Sequence, residues 1–224
     1  MALSDGDIKK AMENGDIIID PFEERCLEPA SYDMRMGKEV VKESGRINIE
    51  EKGAVILEPG DLVVFGTLEY IKISRRYIGH IGLRSHYTRK GLALLAGPQI
   101  DPGYSGILTI AVSNLGPGTI TIPYMEKVIT IEFFKLITEA TREYQGIFKD
   151  QRSIPTGDIE YIMSSTGVSI SGVVREISAL SRSVAELNST VNNLKSSIEA
   201  MKWLIPIIVG IVSGVISIIG YLIR

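Results

Sequence analysis

The chain has 224 residues, with 24 basic and 27 acidic side chains and a formal charge of −3, so it offers no basic surface to track phosphates and is not a general nucleic-acid coat. Its single cysteine, Cys26, closes no intramolecular disulfide, and the N-terminus lacks the basic-then-apolar pattern of a signal peptide; the expected compartment for the N-terminal part is the reducing cytoplasm. The average hides two materials: all five Phe and every Pro but Pro206 lie before about residue 160, whereas the tail past Gly167 is rich in Ser, Val, Ile, Leu and Asn.

A short helix is expected after Ser4-Asp5, where a capping residue precedes an amphipathic run. From about residue 55 to 136 the chain reads as short β-branched segments, AVILEPGDLVVFG, YIGHIGLRS, GILTIAVSN, TITIPY and KVITIEFFKL, broken by glycine and proline turns. That spacing predicts a mainly β head, a compact antiparallel barrel or sandwich with few other helices.

Several stretches carry a family likeness: Leu3-Ser4-Asp5 with Asp7-Ile8, Ile19-Asp20-Pro21-Phe22, Leu27-Glu28-Pro29-Ala30-Ser31-Tyr32-Asp33-Met34-Arg35 with Gly37, Arg84-Ser85 with Arg89, and Ile100-Asp101-Pro102-Gly103-Tyr104 with Gly106. In order and spacing, residues 3 to 155 resemble the dCTP deaminase/dUTPase superfamily, its archaeal members included. The resemblance implies a jelly-roll-like barrel that assembles as a homotrimer, with each nucleotide site built at a subunit interface.

It also implies roles. Arg84 and Ser85, after a strand, would set a guanidinium fork and a hydroxyl against a triphosphate, with Arg89 as a further phosphate-side arginine; a bare Arg-Ser dipeptide is ordinarily surface. Asp101 matches the aspartate that deprotonates the water attacking the α-phosphate, although an Asp-Pro-Gly turn wants aspartate regardless. Tyr104 matches the ring beneath the deoxyribose, its alternative being an ordinary strand aromatic. Asp33 matches a carboxylate that helps hold hydrated Mg²⁺ through water, or is a strand residue bonded to backbone amides. Tyr144-Gln145-Gly146, Phe148, Gln151, Arg152 and Pro155 resemble, more loosely, a C-terminal lid whose Gln151 reaches the triphosphate.

Three positions depart from the pattern. Ala111 stands where deaminases carry a proton-shuttling glutamate, and alanine transfers no proton. Two histidines, His80 and His86, and one cysteine make no zinc-deaminase motif. His86 replaces a small residue after Arg-Ser, either beside phosphates or, more commonly for a lone histidine, buried and satisfied; Thr130 replaces a glutamine.

A linker over 156–169, with a hinge at Ser164–Gly167, leads to the tail. Ile170, Val173, Ile177, Leu180, Val184, Leu187, Val191, Leu194, Ile198 and Met201 alternate three and four apart, which predicts an α-helical coiled-coil stalk over 170–201, about 32 residues and roughly 48 Å long. Its β-branched first and mostly leucine fourth heptad positions favour two strands, whereas the resemblance implies three. Residues 203–223 run about 21 residues without a charge, roughly 31 Å of helix, which predicts one transmembrane helix and a C-terminal membrane anchor. Lys202, Trp203, Tyr221 and Arg224 bracket it as interfacial residues do, and Gly210 with Gly214 forms a GxxxG pair.

Two functions fit. One is a membrane-tethered, Mg²⁺-dependent dUTPase-type pyrophosphohydrolase acting on dUTP or a related deoxynucleotide such as dCTP. The other is a catalytically inactive pyrimidine-nucleotide sensor that signals through the coiled coil. The retained Asp101, Tyr104 and arginines tip the balance slightly to the hydrolase, and Ala111 makes dCTP deamination the weakest reading.

Overall fold

The computed structural model describes residues 1–157, 159–160 and 170–222. The hinge expected at Ser164–Gly167, and Ile223 and Arg224 at the end of the expected span, lie outside the described residues. Helix α1 (Asp5–Glu13) starts at Ser4, whose hydroxyl accepts from the Asp7 N–H while the Asp7 carboxylate reaches back to the Ser4 N–H. This capping box satisfies two orphan donors, and α1 buries Ile8 and Ala11 against the head.

Twelve strands follow: β1 (Ile17–Asp20), β2 (Leu27–Glu28), β3 (Ser31–Lys42), β4 (Gly45–Asn48), β5 (Ala54–Leu57), β6 (Leu62–Ile73), β7 (Tyr77–Leu83), β8 (Leu92–Leu94), β9 (Gln99–Ile100), β10 (Ser105–Asn114), β11 (Ile120–Pro123) and β12 (Lys127–Lys135). Short helices α2 (Ile49–Lys52) and α3 (Ser85–Thr88) interrupt them. The main sheet runs β8-β10-β6-β3-β12-β7-β9, with β1 on β6 and β2 and β4 on β3, and β11 pairs with β5. Every ladder is antiparallel. The sheet curls around one apolar core that draws on α1 and nearly every strand, so the head is mainly β, as expected, with a short N-terminal helix.

Strand β3 lies at the centre of this sheet and was not among the expected strands. Its residues 32–37 are all buried, so it lacks the in-out alternation that marks a half-buried strand. Tyr32, Met34 and Met36 enter the core, while Asp33 and Arg35 point to the other face and are 3% and 2% exposed. Gly37 lets β3 approach β6, since a Cβ there would stand 2.7 Å from the Gly66 carbonyl oxygen.

Arg35 is satisfied on all sides. Its Nε donates to Glu69 Oε1 at 2.6 Å, its backbone N–H to Glu69 Oε2 at 2.8 Å, and one terminal nitrogen to the Pro21 carbonyl at 2.9 Å; the other lies 2.7 Å from Glu23 Oε1. Glu69 is fully buried, and desolvation pushes its carboxyl up against the pull of Arg35. Burying two charges costs about as much as their attraction returns, so the pair adds little net stability. Losing one partner is different, because the other is then left charged and dry.

The chain separates into two units, residues 1–174 and 175–224. The described residues of the second belong to helix α4 (Ile170–Leu222), 53 residues or about 80 Å at 1.5 Å per residue. Helix α4 runs without a break through Met201, Trp203 and Pro206. Its heptad side chains from Ile177 to Met201 are all half or more exposed in the single chain. The stretch Glu176–Gly220 is long and apolar enough to cross a membrane by length and composition.

Glu69→Ala is expected to destabilise the head by about 3–5 kcal/mol, the usual cost of stranding a buried charge. The double substitution Arg35→Met with Glu69→Leu is expected to recover most of that loss in urea unfolding.

Candidate functional site

The residues singled out in the sequence fall into two groups at opposite ends of β7. At one end, Arg84 leaves β7 as the N-terminal flank of α3, and its Nε stands 2.9 Å from Asp33 Oδ2. Lys127, at the start of β12, lies 3.7 Å from the same oxygen. Register explains the meeting: β12 lies between β3 and β7, pairing Thr130 with Asp33 on one side and with Gly82 on the other.

Burial pushes the Asp33 carboxyl above the usual range, against Arg84, Lys127 and a smaller pull from the Thr130 side chain. Oδ2 is enclosed and has no aligned hydrogen bond, so its contact with Arg84 is an ion pair rather than a directed bond. Asp33 thus faces two cations, Arg84 and Lys127. Ser85 and Arg89 flank Arg84, both exposed. His86 is exposed too and meets only the edge of Tyr87, ring centroids 5.1 Å apart. The buried, satisfied histidine expected there is corrected: α3 is a single exposed turn that buries Tyr87 instead.

Toward the other end, β9 pairs with Gly79 and His80 of β7 and delivers Asp101 to a cavity of about 280 Å³ lined by Gln99, Asp101, Tyr104, Thr109, Tyr144 and Gln151, with apolar Ile81, Ile100, Leu108, Ile110 and Phe148. Asp101 is exposed and accepts a 2.7 Å hydrogen bond from the Gln99 side-chain amide. Tyr104 is buried, donates to the Ile107 carbonyl at 2.7 Å and tilts against Tyr144; burial pushes its phenol up.

Gln151 reaches the cavity in a strap, residues 150–154, laid along β10. The Asp150 N–H donates to the Ser105 carbonyl, and its carboxylate, held below the usual range, accepts from Ser105 Oγ at 2.6 Å and the Tyr70 hydroxyl at 3.1 Å. The Ile107 N–H donates to the Gln151 carbonyl, the Gln151 side-chain amide donates to Thr109 Oγ1, and Arg152 lies 4.0 Å over the Tyr70 ring. Gly106 makes room: its φ is 145°, and a Cβ there would meet the Gln151 nitrogen at 3.0 Å. Ile154 then closes over Val41, Val64 and Ala111. The position where a deaminase glutamate was expected is thus inside an apolar patch.

The structure brings Asp101, Tyr104 and Gln151 together, and separately Asp33, Arg84 and Lys127, with Ser85 and Arg89 beside Arg84. None of Asp33, Arg84, Ser85 or Arg89 lines the Asp101 cavity. Lys127, Gln99 and Tyr70 were not singled out from sequence; Lys127 depends on strand register and Tyr70 on a contact 80 residues apart in the chain, which no local motif announces, whereas Gln99 lies two residues from Asp101. Arg84→Ala is expected to drive the Asp33 pKa further up, since burial then acts with one opposing cation fewer; a carboxyl-carbon NMR titration of Asp33 reads it, and an unmoved value would mean that the ion pair is absent.

Comparison by sequence with known proteins gives one family. The model of the dCTP deaminase-like family matches residues 2–136. A dCTP deaminase of Thermococcus sibiricus is 34% identical over 154 residues, covering 69% of this chain and 95% of its own. The dUMP-forming dCTP deaminase of Methanopyrus kandleri is 35% identical over 165 residues, covering 63% and 86%. Among solved structures, the 2′-deoxycytidine 5′-triphosphate deaminase of Agrobacterium tumefaciens superposes with a TM-score of 0.51 at 16% identity, covering 59% of this chain and 47% of that one, a likeness of fold alone. The chain, carrying the motifs, the curled sheet and these relatives, belongs to the dCTP deaminase-like family of nucleotide-metabolising proteins.

Proposed function

We propose that the head is a deoxynucleoside triphosphate pyrophosphohydrolase, with dUTP the favoured substrate and dCTP the next candidate, carried as the Mg²⁺ complex. The observation that carries this reading is that, among the described residues, Asp101 is the one carboxylate lining the cavity, beside Tyr104 and Gln151. At about 280 Å³ the cavity is near the low end of ligand clefts, which run from about 300 to 1,000 Å³; it suits a nucleoside with its phosphates projecting outward.

In this reading Asp101 takes a proton from water as the water oxygen attacks the α-phosphorus. The bond from that phosphorus to the α–β bridging oxygen breaks, and pyrophosphate leaves with the electron pair. Tyr104 packs against the sugar and excludes a 2′-hydroxyl. Gln151 and the cluster of Arg84, Ser85 and Arg89 hold the phosphates, where fixed positive charge stabilises the departing group. Arg84 follows the end of β7, five positions from Gly79 and four from His80, the residues paired with β9, about 13–16 Å, which favours an Arg84 cluster supplied by a neighbouring copy in a homotrimer.

Among the described residues no group of three or more His, Cys, Asp or Glu could hold a metal ion, and Asp33 already faces Arg84 and Lys127. Mg²⁺ in this reading comes with the substrate's phosphates and keeps most of its waters, and Asp33, which holds Arg84 in place, would reach it through water. Deamination is not proposed, although the curated relatives carry that name: Ala111 transfers no proton, and Ile154 covers its place.

A sensor is the second reading, favoured by one feature. Tyr144, Phe148 and Gln151 line the same cavity and precede the apolar tail, proposed to anchor the protein in a membrane with the head in the cytoplasm, so an occupant would bear on the segment leading there.

Incubation of the full-length protein in detergent with dUTP, dCTP and the other deoxynucleotides in Mg²⁺ decides the matter, with pyrophosphate and ammonia both measured. Pyrophosphate release from dUTP is expected, and Asp101→Asn is expected to lower it by about 10²–10⁴ while nucleotide still binds. Ammonia from dCTP without pyrophosphate would contradict the proposal, and tight binding without either product would leave the sensor.

A further inference from the structure

We infer that the contact surface of the stalk continues without interruption into the membrane span, so that copies of this chain meet there through an aliphatic stripe and not through the glycine pair. This rests on the reading of residues 170–201 as a self-associating stalk, and it names what covers the span.

Three observations carry it. First, the heptad that places Ile177, Val184, Val191 and Ile198 at its first position and Leu180, Leu187, Leu194 and Met201 at its fourth keeps its count beyond Lys202. The same positions fall on Ile205, Ile208, Val212, Val215, Ile219 and Leu222, every one branched aliphatic and half or more exposed in the single chain. Second, the span is two-faced in that register. Pro206, Gly210, Ser213, Gly214 and Gly220 all fall on the second, third or sixth positions, away from the stripe.

Third, α4 is one helix from Ile170 to Leu222, so the face presented by the stalk dictates the face presented in the span. A straight α-helix drifts from a seven-residue repeat by about 20° per heptad. Over the three heptads from Met201 to Leu222 that is about 60°, and a left-handed supercoil removes it. Turning the glycine face inward would take about 180°, which an unbroken helix cannot supply.

Handedness agrees, because glycine-pair contacts cross right-handed near −40°, whereas heptad contacts cross left-handed near +20°. A shared lipid surface also sets every copy parallel, the arrangement that β-branched first positions and leucine fourth positions favour. Lipid itself gives apolar side chains no reason to associate. In this span the drive comes from the stalk, which holds the helices at high effective concentration.

The test is oxidative cross-linking of full-length protein in phosphatidylcholine vesicles, in a Cys26→Ala background, with single substitutions Val191→Cys in the stalk and Val212→Cys, Val215→Cys or Gly214→Cys in the span. Disulfides need Cβ atoms within about 4.5 Å, so Val191→Cys, Val212→Cys and Val215→Cys are expected to link roughly tenfold or more faster than Gly214→Cys. Faster linking by Gly214→Cys would overturn the inference, as would silence at 212 and 215 while 191 links. Silence at 191 as well would overturn the stalk reading beneath it.

Discussion

The buried pair of Arg35 and Glu69 is the constraint around which the head is arranged. A guanidinium with 2% exposure must have every donor engaged, and here its partners come from β6, the chain after β1 and the turn before β2. That requirement fixes where β3 lies against β6 and which face of β3 carries its polar residues. Asp33, two residues away on the same face, inherits its position and is thereby set opposite Arg84. A less stringent pairing, such as an apolar contact of similar volume, would tolerate a sliding register; an ion pair with a backbone N–H bound to the same carboxylate does not.

From this follows a separation that bears on chemistry. Strand β7 carries the Arg84 cluster at one end and receives β9, with Asp101, toward the other, so one chain holds cationic and carboxylate parts that do not share a cavity. The strap adds Gln151 to the Asp101 side and at the same time packs Ile154 near Ala111. The proposed water attack on a phosphate draws on the first of these features, and the ion pair of Asp33 with Arg84 belongs to the cationic part.

What the sequence made legible divides along the range of the interactions. The start of α1 was readable because Ser4-Asp5 is a local signal, and the heptads of α4 because a helix repeats locally. Strands β5, β7, β10, β11 and β12 and the start of β6 were visible through their turns, whereas the short β8 and β9 were not. Strand β3 was not, since a strand buried on both faces shows no alternation. Asp33, Arg84, Ser85, Asp101, Tyr104 and Gln151 were picked out by family likeness, but their division into two groups depends on which strands are neighbours. His86 was expected to be more commonly buried and lies exposed, because a one-turn helix shelters one residue and that residue is Tyr87. Pro206 sits inside a continuous helix.

The central claim is that the phosphate clamp of one copy serves the Asp101 cavity of another, and mixing tests it directly. Arg84→Ala and Asp101→Asn proteins, each expected to be inactive alone, would be co-expressed, purified as mixed oligomers through two different tags and assayed for pyrophosphate release. Recovery of a substantial fraction of wild-type turnover in the mixture is the predicted result, since some sites then draw intact Arg84 and intact Asp101 from different chains. Mixed oligomers as inactive as either parent would contradict it.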